Sequence, residues 1–336
     1  MILVVGGGIA GTAAALAIAQ AGFEVSVFEA HPSDGADIGA FLTLADNGVT
    51  ALRQLGVDTS FGFELTSMAV VDHTGAELAV VPLNGYRCVR RAVLGEVLRE
   101  EVRRRGIPLR QGAHFSGFTG DGIRFADGST AAGSLVIGAD GLNSTVRPFV
   151  DPACAGPRYA GQWVYYGYGS TPGPPERITM IRGTKSAFGY CRAPDGETFW
   201  FARVADSLAS LDSQAAAIAA SGESMVTKAW DLVPGGRWFD GRALLIGDAA
   251  HAASPATGQG ASMALEDAVV LGKALRDCGD QAMEVYERLR RDRVERNIEV
   301  SAAATNGARK AGSPQGRVSR VDEQIAETLD WNKKPT

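Results

Sequence analysis

The first thirty residues constrain the fold most, because they join two apolar strands through a glycine-rich turn and a helix. In order, the unit consists of a strand over 2–5, the glycines Gly6, Gly8 and Gly11 at G-x-G-x-x-G spacing, a helix over 11–20, and a strand over 24–28 that ends at Glu29. The first strand is apolar without alternation, which is typical of a parallel strand covered on both faces. The unit predicts an α/β fold with helices packed on a parallel sheet.

The same unit predicts a site for an adenine dinucleotide. Gly6 would permit the tight turn, Gly8 would let the backbone approach a pyrophosphate, and Gly11 would let the helix pack closely on the strand. The helix amino terminus would receive the phosphate charge, and Glu29 would accept hydrogen bonds from the ribose hydroxyls. The predicted contacts are Gly6, Gly8, Ile9, Ala10, Gly11, Glu29 and Ala30. At this point both NAD and FAD remain open.

Two later segments repeat the design of a buried strand that ends in glycine and an acid. The first is Leu135–Gly138 followed by Asp140, with Arg147 a few residues further on. The second runs from Ala243 to Asp248 and continues through Pro255, Gly258 and Gly260 into a helix predicted from Ala261 to Arg276.

With these three motifs in this order, the chain from Met1 to about Gly312 resembles the group A flavoprotein monooxygenases, the family of para-hydroxybenzoate hydroxylase. The resemblance implies non-covalent FAD, NAD(P)H as co-substrate without a separate binding domain, and O2. It implies oxygen transfer through a C4a-hydroperoxyflavin, which hydroxylates or epoxidises a small, largely apolar aromatic or polyketide-like substrate. The chemistry belongs to the flavin, so no catalytic side chain is predicted.

The resemblance also assigns roles in the third motif. Asp248 would bind a ribityl hydroxyl and the diphosphate region, and Pro255 would lie beside the isoalloxazine ring. Gly258, Gly260 and Ala261 would bring backbone N–H groups and a helix amino terminus to the N1–C2=O edge of the flavin.

Other roles follow from the remaining matches. Asp140 would lie near FAD and the route of the pyridine nucleotide, whereas Arg147 has a structural role. Arg91, in an R-x-x-L helix start, would reach the FAD phosphates, with Arg90 facing solvent. Residues 39–48 resemble a loop that runs beside the flavin. The chain departs from many relatives where Ala30 and a histidine stand in place of an arginine after Glu29.

The expected architecture is a Rossmann-like, glutathione-reductase-type FAD-binding domain with an inserted antiparallel-sheet substrate domain and carboxy-terminal helices. Short β runs broken by glycine and proline predict the inserted sheet. The predicted division is 1–62, 87–150 and 236–312 for the FAD-binding domain, 63–86 and 151–235 for the substrate domain, and 313–336 for the tail.

Composition excludes several other classes. A net charge of -5 provides no basic field for nucleic acid. The four cysteines and four histidines lack ligand spacing, so neither a metal site nor a disulfide framework is expected, and no segment is apolar enough to cross a membrane. A cytoplasmic protein of undetermined oligomeric state is expected.

Two local features have ordinary structural interpretations. The position of His251 predicts loop structure, and the mixed charges of 287–296 predict a solvent-exposed helix face. Two alternative functions remain, a flavin-dependent reductase of the prenyl-reductase type and a non-catalytic nucleotide-binding protein. The choice between NADH and NADPH, and the substrate itself, are open at this stage.

Overall fold

The base of the fold is a five-stranded parallel sheet, seen in a computed structural model that describes residues 1–33, 40–183, 186–305 and 322–335. In spatial order its strands are β16 (Ala243–Leu245), β10 (Leu135–Gly138), β1 (Ile2–Val5), β2 (Val25–Phe28) and β6 (Leu109–Arg110). All neighbouring pairs are parallel. The three predicted motif strands, β1, β10 and β16, therefore lie side by side.

Both faces of this sheet are covered, which explains why β1 has no polar alternation. Ile2 and Val4 belong to the core cluster formed with the helices, whereas Leu3 and Val5 belong to a second cluster on the opposite face. That second face is covered by a small antiparallel sheet made of β7 (Phe115–Phe118), β8 (Gly122–Phe125) and β9 (Thr130–Ala132).

Helices cover the first face of the parallel sheet. The longer ones are α1 (Ile9–Gln20), α3 (Arg91–Arg104), α7 (Gly260–Cys278) and α8 (Ala282–Thr305). Among the shorter helices, α2 (Asp46–Gln54) and α9 (Glu323–Leu329) belong to the same core, whereas α4 (Arg147–Val150) and α6 (Asp248–His251) have buried residues in the cluster on the second face. The remaining helix, α5 (Ser213–Ala219), packs in a separate core cluster away from the parallel sheet. Small residues let α1 and α7 approach closely, since a Cβ at Gly272 would lie 2.9 Å from the carbonyl oxygen of Ala17. No helix among the described residues is long and apolar enough to cross a membrane.

A second, eight-stranded sheet stands apart from the parallel one. In spatial order its strands are β15 (Ser224–Asp231), β11 (Arg158–Gly169), β14 (Thr198–Val204), β13 (Ser186–Arg192), β12 (Arg177–Arg182), β4 (Phe63–Val71), β5 (Glu77–Arg90) and β3 (Phe41–Leu44). The predicted antiparallel sheet is confirmed with one exception, because β4 and β12 are parallel.

The larger sheet also draws on segments predicted for the FAD-binding domain. β3 lies within 1–62, and β5 continues past residue 86 to Arg90. The division into two domains stays a prediction. Of the tail, residues 313–321 lie outside the described residues, and α9 packs against α7.

The contact between α9 and α7 centres on a buried lysine. The Lys273 ammonium donates hydrogen bonds to the carbonyl oxygens of Glu327 at 3.2 Å and Thr328 at 2.6 Å. These carbonyls lie in the last turn of α9, where backbone acceptors lack partners within the helix. Trp331 then packs over Gly272.

Candidate cofactor and substrate site

The carboxyl ends of the three motif strands form one edge of a large cavity. Val5 of β1 pairs with Gly138 of β10, which in turn pairs with Leu245 of β16. Because the strands are parallel and in register, the motif residues that follow them emerge at the same sheet edge. The cavity has a volume of about 1430 Å³ and extends from this edge to the eight-stranded sheet.

All the predicted cofactor contacts except Gly11 line this cavity. They are Gly6, Gly8, Ile9, Ala10, Glu29, Ala30, Arg91, Asp140, Asp248, Pro255, Gly258, Gly260 and Ala261. These residues come from five separate stretches of the chain. Their roles towards a bound cofactor stay predictions, but the structure brings them to one surface.

The three glycines of the first motif have different surroundings. Gly6 has φ +107°, and a Cβ there would lie 2.4 Å from the carbonyl oxygen of Ala139. A Cβ at Gly11 would lie only 1.8 Å from the carbonyl oxygen of Gly6, so Gly11 permits helix and strand to pack and does not face the cavity. Gly8 has no atom within 4 Å of its Cβ position, which leaves its backbone open to a ligand.

Glu29 is oriented by the turn beside it. Its two carboxylate oxygens accept hydrogen bonds from the backbone N–H groups of Gly7 at 2.5 Å and His31 at 2.7 Å. A Cβ at Gly7 would lie 2.9 Å from the Cβ of Glu29, so the middle glycine of the turn also has a packing reason that the motif spacing does not reveal. Each carboxylate oxygen retains a further acceptor site for a ribose hydroxyl.

Asp140 is held through one oxygen only. Its Oδ2 accepts hydrogen bonds from the N–H groups of Thr145 at 2.6 Å and Val146 at 3.1 Å, and from the Thr145 hydroxyl at 3.0 Å. Its Oδ1 is buried and has no hydrogen-bond partner within the described part of the chain. A buried acceptor without a partner costs free energy, so this oxygen at the cavity edge fits a ligand that donates to it.

Asp248 begins a single helical turn that departs from the predicted loop. Gly247, with φ +57°, precedes the turn, and His251 ends it. His251 is buried, and its Nε2 lies 2.6 Å from Oδ2 of Asp267 on α7. The expectation of loop structure at His251 is therefore wrong, because this contact holds the segment as a helical turn.

The charged run 287–296 is not entirely a solvent-exposed face. Arg290 is 1% exposed and pairs with Glu266 and Asp267, both of which are buried on α7. Arg291, the next residue, is partly exposed and forms i,i+4 ion pairs with Glu287, as the alternation of charges predicts, and also with Glu295. The prediction failed at Arg290 because its partners lie on another helix.

The three arginines near the first two motifs have different surroundings. Arg91 lines the cavity at the start of α3. Arg147 donates to the carbonyl oxygens of Ala249 and Leu142, so it ties the second motif to the third. Arg90 is exposed, but its guanidinium also lies 4.0 Å from the centre of the Tyr168 ring.

The loop predicted over residues 39–48 is a strand followed by a helix start. Gly39 lies outside the described residues. Phe41–Leu44 pairs antiparallel with the last residues of β5, and α2 begins at Asp46. The side chains as well as the backbone contribute here, since Phe41, Thr43 and Asp46 line the cavity.

The opposite wall of the cavity is one face of the eight-stranded sheet, and strand register arranges its side chains in rows. The middle row consists of the directly paired residues Val70, Met180, Gly189, Phe201 and Tyr166. All of them except Gly189 line the cavity. The row is apolar and aromatic, apart from the hydroxyl group of Tyr166. Burial raises the pKa of Tyr166, so this phenol stays neutral.

An outer row lies two residues further along the strands, about 7 Å away. It consists of the directly paired residues Arg182, Ala187, Arg203 and Val164, all of which line the cavity. Arg203 is only 8% exposed, so a cation is buried at the edge of an apolar wall. No local sequence pattern marks Arg203 as a site residue, because its place in the row depends on register with distant strands.

These features fit a bound FAD. The glycine turn and α1 present an open helix amino terminus to a diphosphate, Glu29 and Asp140 offer acceptors, and the cavity continues towards the third motif. No cluster of three or more potential metal ligands occurs within the described residues.

Comparison with known proteins agrees with this fit. The chain matches the family described as FAD binding domain over residues 1–167 and 192–301. It therefore belongs to the FAD-binding-domain family, and within it to the group A flavoprotein monooxygenases. Its cofactor is FAD, and its activity is that of a flavin-dependent monooxygenase.

Three similar proteins illustrate the family. Aurachin C monooxygenase/isomerase of Stigmatella aurantiaca is 32% identical, over 82% of this chain and 80% of its own length. The FAD-dependent urate hydroxylase of Klebsiella pneumoniae is 31% identical, over 87% and 86%. The structure of Klebsiella pneumoniae HpxO with FAD and uric acid has a TM-score of 0.79 at 25% identity, and the match covers 98% of this chain and 96% of that one. The prenyl-reductase alternative is not favoured.

Proposed function

We propose that this monooxygenase uses NAD(P)H and O2 to hydroxylate a flat, acidic heteroaromatic substrate. The substrate lies against the middle row, with its acidic group beside Arg203. One oxygen atom of O2 enters the substrate and the other leaves as water, with two electrons from NAD(P)H. The observation that carries the proposal is the buried Arg203 guanidinium at the edge of an apolar, aromatic wall.

The shape of the wall supports a flat ring. Met180 and Phe201 lie on either side of Gly189. Because Gly189 has no side chain, both of these side chains can lie close to the sheet. Tyr166 continues the row, and its ring lies 6.2 Å from that of Phe41 in an edge-on arrangement. Aromatic and thioether groups of this kind favour a planar aromatic ligand.

The cation supports an acidic group on that ring. A buried guanidinium stabilises an anion through charge-assisted hydrogen bonds, and it lowers the pKa of an enol or phenol bound beside it. A deprotonated ring is richer in electrons at the neighbouring carbon, which is the carbon that an electrophilic oxygen attacks. Arg203 would therefore both orient the substrate and hold it in its reactive ionisation state.

The names of two relatives are compatible with this substrate class. One is named for urate, and 2-heptyl-3-hydroxy-4(1H)-quinolone synthase of Pseudomonas aeruginosa, 32% identical over 81% of this chain and 80% of its own length, is named for a quinolone. Both names describe planar nitrogen heterocycles with oxygen substituents.

The first-motif residues would hold the cofactor at the other side of the cavity. Backbone N–H groups at Gly8, Ile9 and Ala10 would bind its diphosphate together with Arg91, and Asp140 Oδ1 would accept a hydrogen bond from it. When bound, FAD supplies hydride acceptance and O2 activation, for which no side chain of the cavity is suited. The apolar wall excludes water from the reacting atoms.

The test uses the purified, FAD-loaded protein with uric acid and 2,4-dihydroxyquinoline as acidic probes and quinoline as a neutral one. We expect the acidic probes to stimulate oxidation of NADH or NADPH, with O2 uptake in equal amounts. The Arg203→Gln variant should lower kcat/KM for the acidic probes by about 10- to 100-fold, as expected for loss of a charged hydrogen bond. Arg203→Lys should recover part of this loss.

Arg192→Gln is the matched control, since Arg192 is an exposed arginine on β13 that does not line the cavity. It should leave kcat/KM unchanged, and both variants should bind FAD as the wild type does. Product formation from NAD(P)H without O2, or equal kinetics for Arg203→Gln and wild type, would contradict the proposal.

A further inference from the structure

Two buried carboxylates on α7 lie outside the cavity but contact the segments that form it. Glu266 and Asp267 are fully buried and do not line the cavity. Both pair with Arg290 of α8, and Glu266 also pairs with Arg293. Neither carboxylate is among the predicted cofactor contacts. The role of each therefore depends on its hydrogen-bond partners.

Asp267 holds the turn that presents Asp248. Its Oδ2 accepts hydrogen bonds from the Gly247 N–H at 2.9 Å and from Nε2 of His251 at 2.6 Å. Gly247 and His251 enclose Asp248 on either side in sequence. The other oxygen, Oδ1, accepts from Nε of Arg290 at 2.8 Å. The carboxylate therefore fixes both ends of the turn, and Arg290 fixes the carboxylate.

The environment keeps Asp267 ionised. Burial alone would raise its pKa, but the neighbouring His251 and Arg290 outweigh burial and hold the pKa below its ordinary value. An ionised carboxylate accepts from several donors at once, which is what this junction requires.

Glu266 extends the same network to a second segment beside the cavity. It accepts a hydrogen bond from Nδ2 of Asn47 at 2.6 Å, and this nitrogen also donates to Oε1 of Gln259 at 3.0 Å. Gln259 lies between Gly258 and Gly260, which both line the cavity. One network thus connects the Asp248 turn with the start of α7.

General stability is a poor explanation for so many buried charges. Replacing a buried ion network by apolar side chains of similar volume is often neutral or stabilising, because burial of the charges is costly. What apolar side chains do not provide is the direction of the hydrogen bonds to Gly247 and His251. The network is therefore suited to setting the position of a backbone turn.

We propose that Asp267, fixed by Arg290, is a positioning residue that sets the Asp248 turn for the flavin half of FAD. The inference rests on the proposed placement of that half beside Asp248. Neither Asp267 nor Arg290 touches the cofactor, so both act through Gly247 and His251.

The experiment compares the affinities of the apoprotein for FAD and for ADP. ADP carries the adenosine and diphosphate groups, whose contacts would be mainly with the first motif, and it lacks the ribityl group and the ring that the Asp248 turn would hold. In Asp267→Asn we expect FAD affinity to fall by about tenfold or more, since a displaced charged hydrogen bond costs that much. ADP affinity should fall by much less, whereas general destabilisation would weaken both ligands equally.

A second pair of variants avoids removing a buried charge. His251→Leu removes the donor to Asp267, and His251→Gln supplies an amide donor of similar reach. We expect His251→Leu to weaken FAD selectively and His251→Gln to restore most of the affinity.

Arg290→Gln removes the group that fixes Asp267, so it should also weaken FAD more than ADP. Arg291→Gln is its matched control, because Arg291 is the neighbouring arginine on α8 and pairs only with Glu287 and Glu295 among carboxylates of the described chain.

The outcomes separate this inference from the proposal on which it rests. Asp248→Ala should weaken FAD more than ADP, and if it leaves FAD affinity unchanged, both the placement of the flavin half and the inference fail. If Asp248→Ala weakens FAD while Asp267→Asn and His251→Leu do not, the inference alone fails. Equal losses of FAD and ADP affinity in the variants would also overturn it. Should Asp267→Asn fail to fold, the His251 pair decides the question.

Discussion

A methyl group added at Gly189 tests the proposed position of the substrate ring. Gly189 is the member of the middle row that lacks a side chain, and its neighbours in the row are Met180 and Phe201. A Cβ at Gly189 would lie 2.5 Å from Cε1 of Phe201 and 2.7 Å from Sδ of Met180. Ordinary contacts between such atoms are about 3.5–4.0 Å, so each side chain must move by about 1 Å.

The direction of that movement decides the effect. Both displaced atoms are the outer parts of side chains that line the cavity, so they move into the space assigned to the substrate. Stability should fall little, because the cavity accepts the displaced atoms. A loss of fit equivalent to about one methylene costs about 1–3 kcal/mol in kcat/KM, which is roughly 10- to 200-fold.

The assay measures kcat/KM for 2,4-dihydroxyquinoline, a two-ring probe that needs more of the space beside Met180 and Phe201, and for the smaller single-ring probe 4-hydroxybenzoate. We expect Gly189→Ala to lower kcat/KM for the two-ring probe by at least about tenfold, to affect the single-ring probe less, and to leave FAD affinity unchanged. The double variant Gly189→Ala/Met180→Ala should recover part of the loss. Equal effects on both probes, or no effect on either, would refute the reasoning.

Two further predictions concern folding and cofactor uptake. Burial lowers the pKa of Lys273 to about 8 from 10.5, so between these values the unfolded chain binds the proton that the folded chain has lost. The stability of wild type relative to Lys273→Met, measured by urea unfolding, should therefore rise from pH 8 to pH 10, and a constant difference would contradict this. Gly11→Ala should lower Tm because its Cβ meets backbone, whereas Gly8→Ala should keep Tm and weaken FAD binding; equal Tm values would count against the packing argument.

The positions of the three motifs were predictable because each lies at the end of a strand. A buried apolar strand and the glycine that follows it are read from a few consecutive residues. Parallel strands then bring their carboxyl ends to one sheet edge, so Gly6, Asp140 and Asp248 meet although they are far apart in sequence. This part of the site depends on local patterns and one general property of parallel sheets.

The substrate wall depends on information that local patterns do not contain. Gly189 acquires its role from register with β12 and β14, and Arg203 acquires its role from register with β11 and β13. A shift of one residue would turn each to the other face. Short β runs predicted that a sheet exists, but they did not predict which residues pair. The alternation in Thr198–Val204 is also weak, since most of its residues are buried on both faces.

Arg290 and His251 show that local sequence patterns also do not predict which ionisable side chains are buried. The i,i+4 pairs around Arg291 are present and partly exposed, and they gave no sign that the preceding arginine points into the core. What distinguishes Arg290 is a pair of adjacent carboxylates on α7, where the sequence shows only an amphipathic helix after the third motif. The role of a buried charge depends on its ion-pair partner. Here the partner of Arg290 is Asp267, which also accepts a hydrogen bond from Gly247 in the turn that carries Asp248. Arg290, which the sequence pattern assigned to solvent, and His251, which it assigned to a loop, therefore both contact the carboxylate of Asp267 that holds the Asp248 turn.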